Sequence, residues 1–443
     1  MKLKHWIALF VMSFAGELAW GVQNQILNLF MYNRIVPRPI LVSTMVFAGA
    51  LVATVTAIVM GAYSDSRGKR KPFILSGYLL WGILVSLVTF SQYIHIVLLA
   101  VIAVILGNAL ISFFRATAYE GSFHAYLTDI TDLNNRGTAQ GIASLGLCFS
   151  LLLTFSGADI VAVYEQTTSG LIGLLKGYGM DSYTFYFVII GLVVIIMGVI
   201  GGSIVQDSGV PVGGETRVLV RLKNTFQRGF FKQHRNYFLV LVSMALFMTA
   251  FNSFFSWVLI YLQHYLKLPA DQVTILVLIC IVVGGIIFSI PAGIICDKIG
   301  RKKLAIAAII IESIFLIMFS VSKNPIWVCF SGCFWVGGQT AWMVATYAWS
   351  KDLYPEEKRA EFSGYMTIFQ IGIGGGLGAA LGGVIAELNG IHAVINGTEG
   401  IIPGPSLFMW AAILVLIPLI PVLMAKEKDK LDVTTPQSLN KSM

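Results

Sequence analysis

The chain has 443 residues, of which 57% are hydrophobic and only 12% are charged. A water-soluble chain of this length needs far more charged surface, so a bilayer environment is implied. The net charge of +8 raises nucleic acid as a partner, but membrane topology explains the basic excess and that partner is not expected.

A membrane span needs about 20 mostly apolar residues, and its backbone must bond to itself, which points to helices. The strands of a membrane barrel would alternate over about 10 residues, whereas this sequence shows long unbroken apolar runs. The first run, Trp6 to Phe30, is too long for a signal-peptide core and is followed by no small-residue cleavage site. It is read as a retained first helix. In chain order the runs predict helices over 6–31, 40–62, 73–92, 95–126, 138–160, 183–205, 237–263, 272–296, 304–321, 326–350, 361–388 and 406–425. The longest interior polar stretch, 206–236, would join an N-terminal six-helix half (1–205) to a C-terminal one (237–425), leaving a tail at 426–443. Cys148, Cys280, Cys296, Cys329 and Cys333 all fall inside apolar runs without metal-ligand spacing. They read as small buried hydrophobes, and no metal or cofactor is expected.

With the N-terminus placed inside, 24 of the 30 Lys and Arg residues fall on that side and five (Arg34, Arg38, Lys176, Lys267, Lys323) outside, with Arg115 in a span. This bias places both termini in the cytoplasm of a multi-pass cell-membrane protein.

Two loops repeat. Gly61-Ala-Tyr-Ser-Asp65-Ser-Arg67-Gly68-Lys69-Arg70-Lys71 follows the second helix, and Gly293-Ile-Ile-Cys-Asp297-Lys298-Ile-Gly300-Arg301-Lys302-Lys303 follows the eighth. Asp129, Arg136 and Gly141 correspond to Asp352, Arg359 and Gly364 at a constant offset. Six spans, duplicated with the same loops, are the parallel-repeat plan of one transporter class. The first glycine of each loop would allow close helix packing. The acids and bases (Asp65, Arg70, Asp129, Arg136, Asp297, Arg301, Asp352, Arg359) would form ion pairs between helix ends that latch a cytoplasmic gate.

The second loop closely resembles G-x-x-x-D-[RK]-x-G-R-[RK], the hallmark of the major facilitator superfamily; the first departs from it in having Ser66 where that family has a base. The resemblance implies an all-α membrane fold of twelve helices in two halves, working as a monomer on a small molecule. The segment Ser350-Lys351-Asp352-Leu353-Tyr354-Pro355 onward, with Lys71-Pro72-Phe73-Ile74, is similar to the glycoside–pentoside–hexuronide:cation symporters and sucrose transporters. That narrower likeness implies a sugar or glycoside substrate.

Polar groups inside spans are costly and call for a role. Ser13, Glu17, Trp20, Asn24 and Asn28 are spaced 4, 3, 4 and 4. At about 100° per residue they share one stripe, with Glu17 about 16 Å in from Trp6. The stripe suits a wet binding surface, and equally a helix-packing seam. Asn108, Ser112, Arg115 and Tyr119 form a second stripe, and Arg115 would pair with Glu17. Glu120 falls on another face of that helix. Glu312 is expected to bond to a neighbouring helix. Later helices offer Thr249, Asn252, Ser256 and Gln263, then Trp335, Gln339, Trp342, Thr346 and Ser350, then Gln370 ahead of a glycine-rich run. Aromatic rings with amides and hydroxyls suit a sugar, while Trp335 and Trp342 could also face lipid.

The symporter likeness implies acids in helices two and four for sodium or protons. Helix two holds no acid before Asp65, which favours H+ over Na+ as the coupling ion. A membrane enzyme is not expected, since neither H-E-x-x-H nor a P-loop occurs. The reading is therefore a secondary active transporter, a proton-coupled symporter by alternating access. An exporter or antiporter, or a non-transporting receptor or lipid scramblase on the same fold, is the alternative.

Overall fold

In a computed structural model the protein is described over residues 3–130, 136–207, 233–353, 365–366 and 368–427. Among the described residues there are twelve long helices: α1 Leu3–Ile35, α2 Pro39–Arg67, α3 Lys71–Tyr93, α4 Val97–Leu127, α5 Arg136–Phe155, α6 Ser182–Ile204, α7 Arg235–Tyr265, α8 Ala270–Ile299, α9 Arg301–Val321, α10 Pro325–Leu353, α11 Ile368–Asn389 and α12 Pro405–Met424. Among the described residues, ten are long and apolar enough to cross a membrane. α10 is long enough but carries more Gly, Ser, Thr and Gln. On α10 the less apolar surface faces protein, since Trp335, Gly337, Gly338, Trp342, Thr346 and Trp349 are buried.

The linker over 208–232, the segment 354–364 and the tail from 428 lie outside the described residues. Two short helices after α5, Gly157–Gln166 and Gly170–Gly177, and an antiparallel hairpin, β1 Ile391–Ile395 with β2 Thr398–Ile402, were not expected from the apolar runs. Asn396 (φ 50°) and Gly397 (φ 81°) turn the hairpin. Successive positive-φ residues match the right-handed twist of the strands, which is why Asn-Gly is favoured there.

The packing scheme occurs twice. In the first half α1 packs on α5 and α6, α2 on α4, and α3 on α4 and α6; in the second, α7 packs on α11 and α12, α8 on α10, and α9 on α10 and α12. Adding six to each label of the first half reproduces the second. The halves meet along α2 with α11, and along α5 and the helix after it with α8. These two seams exchange under the same operation, so the halves are related by a pseudo-twofold axis.

Glycine makes the α11 seams close. Gly374, Gly378 and Gly382 lie against Met248, Thr249 and Ser253 of α7, while Gly372, Gly376 and Gly383 lie against Thr54, Phe47 and Ser43 of α2. Membrane helices gain little from hydrophobic association with one another, so such backbone approach supplies the van der Waals contact that holds them. On the outer surface Leu51, Val55 and Val59 of α2 and Ile286, Ile290 and Ile294 of α8 are exposed in helical rows. Water would penalise these rows, and lipid does not.

Several spans contain π-helical turns, among them Val22–Ile26 in α1, Ala116–Phe123 in α4 and Ile368–Gly375 in α11. A π turn closes hydrogen bonds from i to i+5 and so rotates every later side chain relative to an unbroken α-helix. These turns decide which polar residues meet.

Candidate functional site

From Met12 to Gln25, α1 is buried except at Phe14, Glu17, Trp20 and Asn24. These four keep partial exposure at spacings of 3, 3 and 4, so they form one open line along an otherwise packed helix. The expected stripe is corrected at both ends. Ser13 is buried at 1% exposure and Asn28 at 0%. The π turn at Val22–Ile26 carries residue 28 away from the face of residue 24. The amides of Asn24 and Asn28 donate to carbonyls of their own helix, at Trp20 (2.9 Å) and Asn24 (2.5 Å).

The expected pair of Glu17 with Arg115 is also corrected. Glu17 Oε1 accepts a hydrogen bond from Tyr119 Oη at 2.8 Å, while Arg115 Nη1 pairs with Glu120. The π segment that begins at Ala116 turns Glu120 onto the face of Arg115, whereas an α-helix would separate them by about 140°. Arg115 is 6% exposed. Its Nε, and Oε2 of Glu120, are buried without a partner, so a donor atom and an acceptor atom of the pair are left unused inside the protein.

Asn108 serves packing rather than a cavity. Gln23, which the sequence reading passed over, donates to Asn108 Oδ1 (2.8 Å) and Ser112 Oγ (2.7 Å), and Asn108 Nδ2 donates to Met45 O (2.8 Å). This buried network ties α1, α2 and α4 together. Gln23 is one residue off the expected stripe, and the same π turn brings it to α4.

In the second half, Trp342 is fully buried and stacks on Phe247 with ring centroids 4.3 Å apart. Trp335 is 6% exposed and lies edge-on to Phe254 at 5.2 Å. Neither faces lipid, and Trp342 is a packing residue rather than a cavity wall. Asn252 donates to Met248 O (2.8 Å) with its Cβ close to Gly378, and Ser256 is buried. Gln339 keeps partial exposure, and its Oε1 is buried without a partner. Gln370 accepts from Tyr347 Oη at 2.8 Å, leaving its amide nitrogen unpartnered. On α7, Asn252 keeps partial exposure together with Leu246, Met248, Phe251 and Phe255, with Phe251 stacked on Phe255 at 4.6 Å. The partly exposed faces of α1 and α7 converge where Gln25 Nε2 donates to Phe255 O at 3.3 Å.

Beyond that contact, away from the basic loops, the halves are clamped. Tyr32 donates to Ile401 O (2.7 Å), Asn33 Oδ1 meets His264 Nε2 (2.8 Å), and Asn396 donates to Asn33 O (3.0 Å). Ile401 N donates to Pro37 O (3.0 Å), so the hairpin of the second half is seated on the first. Arg38 pairs with Glu387 at 2.6 Å, and Glu387 also accepts from Ile40 N (3.2 Å). Thr274 Oγ1 donates to Phe155 O (3.2 Å) across the other seam between the halves.

At the basic end Arg301 lies 3.6 Å from Asp297 and donates to Asp352 at 3.1 Å, so ion pairs join the ends of α8, α9 and α10. The required glycines are the second ones in the pattern. Gly68 (φ 60°) and Gly300 (φ 97°) take conformations that side chains disfavour, whereas a Cβ on Gly293 would meet nothing and on Gly61 only ordinary contacts. The side chains of Asp65, Asp129 and Arg136, and all of Arg359, lie outside the described residues.

A symmetric feature accompanies these loops. Asp207, after α6, accepts from the backbone N–H of Arg70 (2.6 Å) and Lys71 (2.8 Å); Glu427, after α12, accepts from the N–H of Lys302. In each case an acid caps the helix that begins at the basic loop. Lys71 Nζ and Lys302 Nζ reach back to carbonyls of α6 (2.9 Å) and α12 (2.7 Å). Arg70 is buried and donates to Ser64 Oγ at 2.5 Å.

Two further groups stand apart. Both carboxylate oxygens of Glu312 are buried without a partner beside Gly338 of α10, against the expected interhelical bond. Cys280, Cys329 and Cys333 meet with their sulfurs within 4.8 Å of one another, a juxtaposition that the spacing did not suggest.

The sequence model of the Major Facilitator Superfamily matches residues 9–280 and 239–439, and the chain belongs to that superfamily. It is a multi-pass membrane transporter of a small molecule, not an enzyme. No curated protein sequence matches it significantly. Among solved structures it resembles the D-xylose-proton symporter (15% identity, 95% of this chain and 98% of that one, TM-score 0.70) and the nucleoside transporter NupG (13%, 96% and 100%, 0.69). It also resembles the inward open conformation of the xylose transporter XylE from E. coli (15%, 96% and 97%, 0.67).

Proposed function

We propose that this protein is a proton-coupled secondary transporter of a small polar solute of the sugar or glycoside class. It sits as a monomer in the cell membrane with both termini in the cytoplasm, the orientation that the basic loops favour. The observation that carries the reading is the open line on α1: an acid, a tryptophan and an amide (Glu17, Trp20, Asn24), partly accessible in a helix packed on its other faces. A carboxylate held by one tyrosine can exchange a proton when the site opens and closes. Opposite it, Phe251 and Phe255 offer an apolar surface to a sugar face or an aglycone. Arg115 with Glu120, and Gln339 with Gln370, hold spare donors and acceptors for hydroxyls.

The outer clamp supports an inward-facing state, and one of the solved relatives above is described as inward open. The loop likeness to sugar symporters and the xylose relative support sugars; the nucleoside relative marks the nearest competing substrate class.

The experiment is uptake of labelled sugars, glycosides and nucleosides into proteoliposomes with and without an inward proton gradient. Gradient-driven accumulation of a sugar or glycoside, abolished in Glu17→Gln while that variant still exchanges substrate across the membrane, is the expected result. Full accumulation by Glu17→Gln would remove Glu17 from coupling. Efflux driven by an opposing proton gradient would replace symport with antiport.

A further inference from the structure

The three thiols of Cys280, Cys329 and Cys333 lie within 4.8 Å of one another, on two helices of the second half. Cys329 and Cys333 are one turn apart on α10 and so share a face, which α8 covers with Cys280. The approach is fixed by Gly332, where a Cβ would lie 2.5 Å from the Cys280 sulfur. Cys280 Sγ also donates to Cys329 O at 3.5 Å. Cys280 and Cys333 are buried, and Cys329 is partly exposed. Cys329 lies about 6 Å along α10 from its first residue, close to the surface opposite the basic loops.

We infer that these residues form a binding site for a trivalent thiophilic metalloid, of which arsenite is the type. Thiolates are soft ligands and select soft centres. Charge then chooses among those centres, because the site lies in a span where uncompensated charge is expensive. Three thiolates carry three negative charges. A monovalent ion would leave two of them uncompensated and a divalent ion one; a trivalent centre leaves none. A structural zinc site needs a fourth ligand, and among the described residues the group contains three.

The reaction is a ligand exchange without redox change. Neutral arsenous acid, As(OH)3, loses three As–O bonds and gains three As–S bonds. Each thiol proton leaves with one hydroxyl as water, and arsenic remains trivalent. Reactants and product are all uncharged, so no charge is carried into the membrane. Occupation would cross-link α8 to α10 through a single atom.

The test uses purified full-length protein in lipid nanodiscs, with sodium arsenite as the probe and bound arsenic read by intact mass and by loss of alkylatable thiols. One arsenic per chain is expected, with three thiols protected. Cys280→Ala, Cys329→Ala and Cys333→Ala should each weaken binding at least tenfold, while Cys148→Ala and Cys296→Ala should leave it unchanged. Melting temperature verifies the fold of each variant, and Cys→Val at the same position replaces any alanine variant that does not fold. Absence of arsenic on the intact protein, binding that survives Cys280→Ala, or loss of binding in Cys148→Ala would overturn the site. Tighter binding of cadmium or monovalent copper than of arsenite would overturn the choice of a trivalent centre.

Discussion

Arg115 and Glu120 show what one added backbone position does at the scale of a residue. A buried guanidinium needs an acid, and the composition of the spans offers Glu17 and Glu120. Periodicity at 3.6 residues per turn selects Glu17; the π segment of α4 selects Glu120. Breaking a buried pair by removing one partner costs about 3–5 kcal/mol, so Glu120→Gln should sharply lower the melting temperature. The double variant Arg115→Gln, Glu120→Gln should recover most of that loss, and failure to recover would mean that the two residues do not act as a pair. Glu312 behaves in the opposite way. Its carboxyl is buried without partners, and burial of an unsatisfied polar group costs about 1–3 kcal/mol. Glu312→Met should therefore hold or raise the melting temperature, and a fall of several degrees would show that a partner exists. The polar residue types were legible in the sequence; their pairing was not, because it depends on helical pitch.

Among the elements, the twelve spans were readable because apolar length is a strong signal, and the observed helices overlap the expected ranges throughout. The hairpin was not recognised. Yet Asn396-Gly397 between the β-branched Ile395 and Thr398 is itself a strong turn signal, and the Asn396 amide is used to reach Asn33. The repeated loops were readable as a pattern, with the structural weight falling on a different glycine. Gly300 adopts φ 97° and ψ 159°, a region open in practice to glycine alone, where a side chain costs on the order of 1–3 kcal/mol. Gly300→Ala should lower stability by that amount, whereas Gly293→Ala should be silent; equal effects would contradict this assignment. On α11, Gly383 touches Ser43 across the seam between halves. Gly383→Val should part the halves at the clamped end, so that a cysteine placed at Asn24 reacts with an impermeant thiol reagent from that side. Unchanged labelling would remove Gly383 from the seal.

For the whole molecule, the duplicated loops and the charge bias were enough to state two related halves, and the repeated packing scheme supplies the axis between them. What the sequence withheld is the clamp between the halves. Partners in the clamp are far apart in the chain, as with Tyr32 and Ile401 or Arg38 and Glu387, and no local pattern encodes such pairs.

That clamp sets the kinetics of the empty carrier. Each polar link across the halves must be given up before the vestibule on that side can load, so the unloaded protein spends most of its time unavailable to substrate arriving there. The apparent dissociation constant from that side is the intrinsic one divided by the small fraction of open carriers. Net uptake is then limited by the unloaded return stroke, and swapping one bound solute for another should outpace it. Variants that loosen the clamp, such as Tyr32→Phe, should lower the KM measured from the clamped side while leaving the exchange rate nearly unchanged.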